Sequence, residues 1–270
     1  MQFASVNDVV IHYDFQRAAA EKPVLVFINS LGTDLRIWDE VRLRLGNDVS
    51  VLVYDKRGHG LSDIGNTPYT IELLAADLTA LLDKLSIKRA IICGLSVGGL
   101  IAQGVVAARP DLVTGLVLSN TAHKIGTADM WDARIAAIRE NGLASILDAT
   151  MPRWFTPAYR HPDNPSYRAY CNMFVRQPLE GYAATCAALR DADLTQVAKR
   201  FRCRHCVWSA SRTVLHRPPL RANWQASFLK QILQRLPTAA ISPASNSPMP
   251  TSRCYATLLQ TDSSMENNHG

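Results

Sequence analysis

Five short apolar runs, interleaved with stretches of helical spacing, constrain the fold of this 270-residue chain most tightly. They are "VVIHYDF" (9–15), "VLVFINS" (24–30), "VSVLVYD" (49–55), "RAIICGLS" (89–96) and "VTGLVLSN" (113–120). The last four are almost continuously apolar at their centres, as strands are when both faces of the sheet are covered. Strands alternating with helices make that sheet mostly parallel, with right-handed crossovers. The spacing predicts helices over 34–45, 70–85 and 97–110. The second opens on Thr70 as N-cap with Glu72 in its first turn, and the third stops at Pro110. The expected class is α/β with a mostly parallel central sheet.

From 124 to 187 the pattern is helical throughout, with no strand-like run. A helical insertion after a strand is expected to lie over the carboxyl edge of the sheet, where ligands bind in open α/β folds. This divides the chain into a core (1–123), a helical cap (124–187) and a return to the core (188–270). Trp131 and Trp154 fall in the cap and read as packing aromatics at least as well as substrate contacts.

The strongest chemical signal is Gly94-Leu95-Ser96-Val97-Gly98-Gly99, a G-x-S-x-G between an apolar strand and a helix. In that context the pattern is a nucleophile elbow: small residues permit a tight turn that holds the serine Oγ over the sheet at a helix N-terminus. Ser96 is the candidate nucleophile. The N–H of Val97 and that of Leu31, in "NSLGTD" (29–34), are the candidate oxyanion donors. His59, in "YDKRGHGLSD" (54–63), reads as part of a structural turn, and His12 and His123 read as structural too.

The N-terminus lacks the basic and apolar regions of a secretory signal, and no apolar run approaches a membrane span. Six cysteines in a chain of this length do not make a disulfide framework. The expectation is a cytoplasmic protein that does not bind a membrane. Cys203, His205, Cys206 and Cys254 lack the second pair that a zinc site needs, so neither a metal nor a cofactor is expected. The formal charge of +6 suggests a polyanionic partner until it is divided along the chain. Residues 1–193 carry 19 Lys and Arg against 21 Asp and Glu, whereas 194–261 carry 10 basic residues and no acid. That stretch has no nucleic-acid-binding motif, and no nucleic-acid partner is expected.

"FINSLGTDLRIWD", "YDKRGHGLSD", "CGLSVGGLIAQGVVAARPDLVTGLVLSNTAHKIGT", "MWDARI" and "RQPLEGYAATCAALRDADLT" together resemble the 3-oxoadipate enol-lactonases over about residues 1–200. The resemblance implies an α/β-hydrolase fold with a helical cap. It implies hydrolysis of an enol-lactone to 3-oxoadipate in the β-ketoadipate pathway of aromatic breakdown. Ser96 is then the nucleophile, with Leu31 and Val97 as backbone donors. The small anionic lactone calls for a cation, and Arg134, Arg153 and Arg176 are equal candidates. Two alternatives stand beside this reading. One is another α/β-hydrolase, either an esterase or a carbon–carbon hydrolase. The other is a catalytically impaired hydrolase fold whose basic tail binds an anionic partner. Oligomeric state is not legible.

A serine nucleophile needs a histidine base and an orienting carboxylate, in the chain order Ser, acid, His. The resemblance puts the acid in a Gly-Asp-x-Asp turn after the cap and the base in a Gly-His turn near the C-terminus. Residues 194–261 contain no Asp, Glu or Gly, and none of His123, His161, His205, His216 and His269 lies in a Gly-His turn. Triad acid and histidine are therefore unassigned. Shifted codons across Arg202 to Pro218, each made of one codon's last base and the next codon's first two, can encode Val-Pro-Ala-Leu-Cys-Val-Val-Gly-Glu-Pro-Asp. That is an apolar strand ending in a Gly-acid-x-Asp turn, with the acid encoded across Arg212 and Thr213. Residues from about 202 to 254 therefore read as a frameshifted translation, with "YATLLQT" (255–261) as the return of the original frame.

Overall fold

The structure is a computed structural model that describes residues 1–18, 24–47 and 49–200 and the backbone of 206–209. In chain order the core opens with strands β1 (Gln2–Val6), β2 (Val9–Gln16) and β3 (Val24–Ile28). Helix α1 (Asp39–Leu45), strand β4 (Ser50–Tyr54) and helix α2 (Ile71–Lys84) follow. Then come β5 (Ala90–Leu95), α3 (Val97–Ala108) and β6 (Val113–Ser119). Helices α4 (Ala128–Asn141), α5 (Leu147–Trp154), α6 (Pro165–Val175), α7 (Leu179–Asp191) and α8 (Thr195–Lys199) precede β7 (Cys206–Ser209).

The sheet order is β1-β2-β4-β3-β5-β6-β7. Pairings of β1 with β2 and β2 with β4 are antiparallel; every later one is parallel. Strand β1 escaped the sequence reading because it is a short edge strand whose side chains alternate between exposed and buried, with no apolar run. The expected helix over 34–45 begins as a 3₁₀ turn, Leu35–Trp38, because the Asp34 carboxylate caps the Arg36 N–H at 3.1 Å and tightens the entry. Thr70 caps α2 as expected, its Oγ1 accepting from Leu73 N–H at 3.1 Å.

Side chains alternate across a strand, so the sheet splits the core in two. Val26, Ile28, Leu52, Tyr54 and Ile92 join the layer formed with α2 and α3. Leu25, Phe27, Val51, Val53, Ile91 and Cys93 join Trp38, Val41 and Leu45 on the other face. The helical insertion α4–α7 docks on the loop that follows β4. Gln177 Oε1 accepts from Gly60 N–H at 2.9 Å, and α7 approaches so closely at Gly181 that a Cβ there would run into the Gly58 backbone. The same loop is anchored beneath by Arg57, fully buried and paired with Asp77 at 2.7 Å and Asp8 at 2.6 Å.

Candidate active site

Strand β5 ends at Leu95 and α3 begins at Val97, leaving Ser96 as the hinge with φ +57° and ψ −119°. A non-glycine residue there stores about 1–3 kcal/mol of strain, which persists only where the surroundings over-determine it. Ser96 N–H donates to Ser119 O at 3.0 Å, and Ser96 O accepts from Gly99 N–H at 2.8 Å and Thr121 Oγ1 at 2.7 Å. The glycines serve close approach: a Cβ on Gly98 would strike the Ile28 carbonyl, and one on Gly94 the Gly98 carbonyl. Among the described residues, no hydrogen bond takes up the N–H of Val97, which opens α3 and suits an anion.

The opposing loop, which follows β3, is held from below by buried polar groups. Lys56 Nζ donates to Ser30 O at 2.7 Å, and Thr33 Oγ1 donates to the same oxygen at 2.9 Å. Gly32 N–H donates to His59 Nε2 at 3.1 Å, Leu35 N–H to Asp55 Oδ1 at 2.7 Å, and Asn29 Nδ2 to Thr33 O. His59 is fully buried; burial, helped by the charge of Lys56, drives its pKa well below 6.5 and keeps the ring neutral. With Nε2 accepting, its proton is assigned to Nδ1. His12 lies further from the loop, its Nδ1 2.7 Å from Asp55 Oδ2. Leu31, between these anchors, makes no backbone N–H hydrogen bond among the described residues.

Ser30, Leu31 and Ser96 form one wall of a cavity of about 700 Å³ between the carboxyl ends of β3, β5 and β6 and the helical insertion. Trp131 and Trp154 line it while also packing: Trp131 Nε1 donates to Ile125 O at 2.7 Å, and Trp154 meets Phe174 edge-on at 5.6 Å. The structure separates the three candidate arginines. Arg134 is half-buried in the cavity wall, its Nε donating to Tyr182 Oη and its Nη2 to Thr150 Oγ1, both at 2.9 Å. Burial raises the Tyr182 phenol far above its ordinary pKa, so this partner is neutral. Arg153 lines the cavity but is exposed, and Arg176 is exposed and is not part of the lining.

No histidine lines the cavity among the described residues, and Glu40, the one described carboxylate there, pairs with Arg44 at 2.5 Å. His123 and His161 are not part of the lining either. His205, His216, His269, Cys203 and Cys254 lie outside the described residues, as does the frameshift expectation for 202–254 apart from the backbone of β7. Among the described residues, no three His, Cys, Asp or Glu gather as a metal site would require. Sequence reading missed Lys56, whose one signal was a lysine two residues past a mostly apolar strand. It also missed Thr150 and Tyr182, which fix Arg134 from two other helices.

The family model described as alpha/beta hydrolase fold matches residues 23–166, more than half of the chain. The chain belongs to the α/β-hydrolase family. Within that family it is similar to 3-oxoadipate enol-lactonase 2 of Acinetobacter baylyi, 37% identical over 196 residues, which is 73% of each chain. Enol-lactonase 1 of the same organism is also 37% identical, over 64% of this hydrolase and 65% of that protein. Among solved structures, the enol-lactonase from Burkholderia xenovorans superposes with a TM-score of 0.79 at 30% identity, covering 87% of this α/β-hydrolase and 100% of that chain. No helix among the described residues is long and apolar enough to cross a membrane.

Proposed function

We propose that this α/β-hydrolase opens a small anionic enol-lactone, 3-oxoadipate enol-lactone, to 3-oxoadipate in aromatic breakdown in the cytoplasm, with Ser96 as nucleophile. The observation that carries the reading is the cavity. Its lining holds both a strained serine at a helix N-terminus and a guanidinium whose hydrogen-bond partners among the described residues are neutral. Arg134 takes the substrate carboxylate, and the helices over 124–187 act as the cap that keeps water from the pair. Ser96 Oγ attacks the lactone carbonyl, and the N–H groups of Leu31 and Val97 receive the oxyanion. The ring oxygen departs as an enol, which tautomerises to the ketone. Water then releases the acyl group from Ser96.

The base and its carboxylate partner belong, in this reading, to a segment whose frame is shifted between about 202 and 254. Resequencing the gene, with mass spectrometry of the expressed protein, tests that point. A single-base change that restores a Gly-x-x-Asp and a Gly-His turn supports it; an unchanged frame in a fully active protein sinks it. For the reaction itself, Ser96→Ala is expected to lower kcat on the enol-lactone by about 10⁴-fold or more. Arg134→Gln is expected to raise KM about 10- to 100-fold on the carboxylated lactone, and little on an uncharged nitrophenyl ester. Equal losses on both substrates would remove Arg134 from the reading.

A further inference from the structure

The structure assigns to Lys56 the role of a positioning residue that polarises the peptide unit presenting the Leu31 N–H to the oxyanion. The inference rests on the proposed use of that N–H. Its basis is connectivity. The Ser30 carbonyl and the Leu31 N–H belong to one peptide group, so whatever draws electron density from the oxygen strengthens the donor at the nitrogen. Ser30 O accepts twice, from Lys56 Nζ at 2.7 Å and Thr33 Oγ1 at 2.9 Å. The next N–H, Gly32, is tied down on His59 Nε2 at 3.1 Å. The loop thus has its carbonyl held by an ammonium beneath and one N–H left for the cavity side.

The placement of Lys56 is hard to explain as packing. It is 1% exposed, two residues past the end of an all-buried strand. A buried lysine loses hydration that one carbonyl replaces poorly. Burial lowers its pKa to about 7; Asp55 before it and Asp34 from the facing loop oppose that shift, and His59 beside it is neutral. The ammonium is therefore the dominant form below pH 7, and the polarisation weakens as pH rises through that value.

The test reads the peptide directly. In protein labelled with ¹⁵N-leucine, the Leu31 amide proton is expected to move upfield as pH is raised through 7, with the midpoint of the Lys56 ammonium signal. Lys56→Met should abolish that titration and lower kcat about tenfold at unchanged KM. A Leu31 resonance that neither titrates with Lys56 nor moves in Lys56→Met overturns the inference. If Lys56→Met does not fold, the wild-type co-titration and an upfield Leu31 shift in Thr33→Val decide the matter in the same way. Failure of the proposed function reads differently: turnover is absent or survives Ser96→Ala, while the Leu31 titration still reports on Lys56.

Discussion

The two sides of the candidate oxyanion site are built by opposite means. On the Val97 side the turn is fixed by backbone against backbone: Gly94, Gly98 and Ile28 approach so closely that no side chain fits, and Ser96 is held at a positive φ. On the Leu31 side the loop is fixed by side chains from another part of the chain, Lys56, His59 and Asp55, each fully or almost fully buried. The first arrangement is rigid because it has no slack. The second depends on protonation, so it responds to pH where the elbow does not.

The largest effect that separates the two sides comes from filling the elbow. Gly98→Ala drives a methyl into the Ile28 carbonyl, with no flexible side chain to yield. The expected cost is about 3 kcal/mol, independent of pH, and any remaining folded protein should lose Ser96-dependent turnover. Denaturant unfolding at several pH values measures this. A stable, active Gly98→Ala protein would break the claim that the elbow has no slack.

On the opposite side, His59→Ala leaves the buried Gly32 N–H without an acceptor and should cost about 2–3 kcal/mol. Here pH matters. The folded-state pKa of His59 lies well below 6.5, so the unfolded chain takes up a proton that the folded protein refuses as pH falls past that value. Wild-type stability therefore carries a His59 penalty that grows below pH 6.5 and is absent above it. Comparing unfolding of wild type with His59→Gln, which keeps an acceptor and cannot titrate, isolates that term. Parallel stability curves for the two proteins would show that His59 is not buried neutral.

The contrast also explains what was legible in the sequence. The elbow was readable because its rule is local: an apolar strand, a glycine two residues either side of a serine, and a helix that ends at Ala108, just before Pro110. Helix α2 was readable for the same reason, down to the Thr70 cap. The Leu31 loop was readable only as a motif, because its anchors Lys56, His59 and Asp55 come from 20 or more residues away in the chain. Arg134 could not be ranked above Arg153 and Arg176, since its burial is set by Thr150 and Tyr182, 16 and 48 residues distant. Only tertiary packing brings those partners together.

The smallest effect is also the most selective. Lys56→Met replaces a buried amine with an apolar chain of similar length, so it should stabilise the protein by about 1–2 kcal/mol below pH 7 despite the hydrogen bond lost to Ser30 O. The sign follows from the shift. The folded-state pKa is lowered from 10.5 to about 7, so between those values the unfolded chain binds the extra proton and wild-type stability rises with pH. The advantage of Lys56→Met is therefore full below pH 7 and shrinks from there to 10.5. Thermal unfolding of both proteins at matched pH measures the difference directly. A variant more stable yet slower in turnover would mean that the lysine is kept at the expense of the fold, for what it does to the Ser30–Leu31 peptide. A variant less stable at every pH would make Lys56 an ordinary structural anchor, and the two sides of the site would then differ only in which atoms hold them.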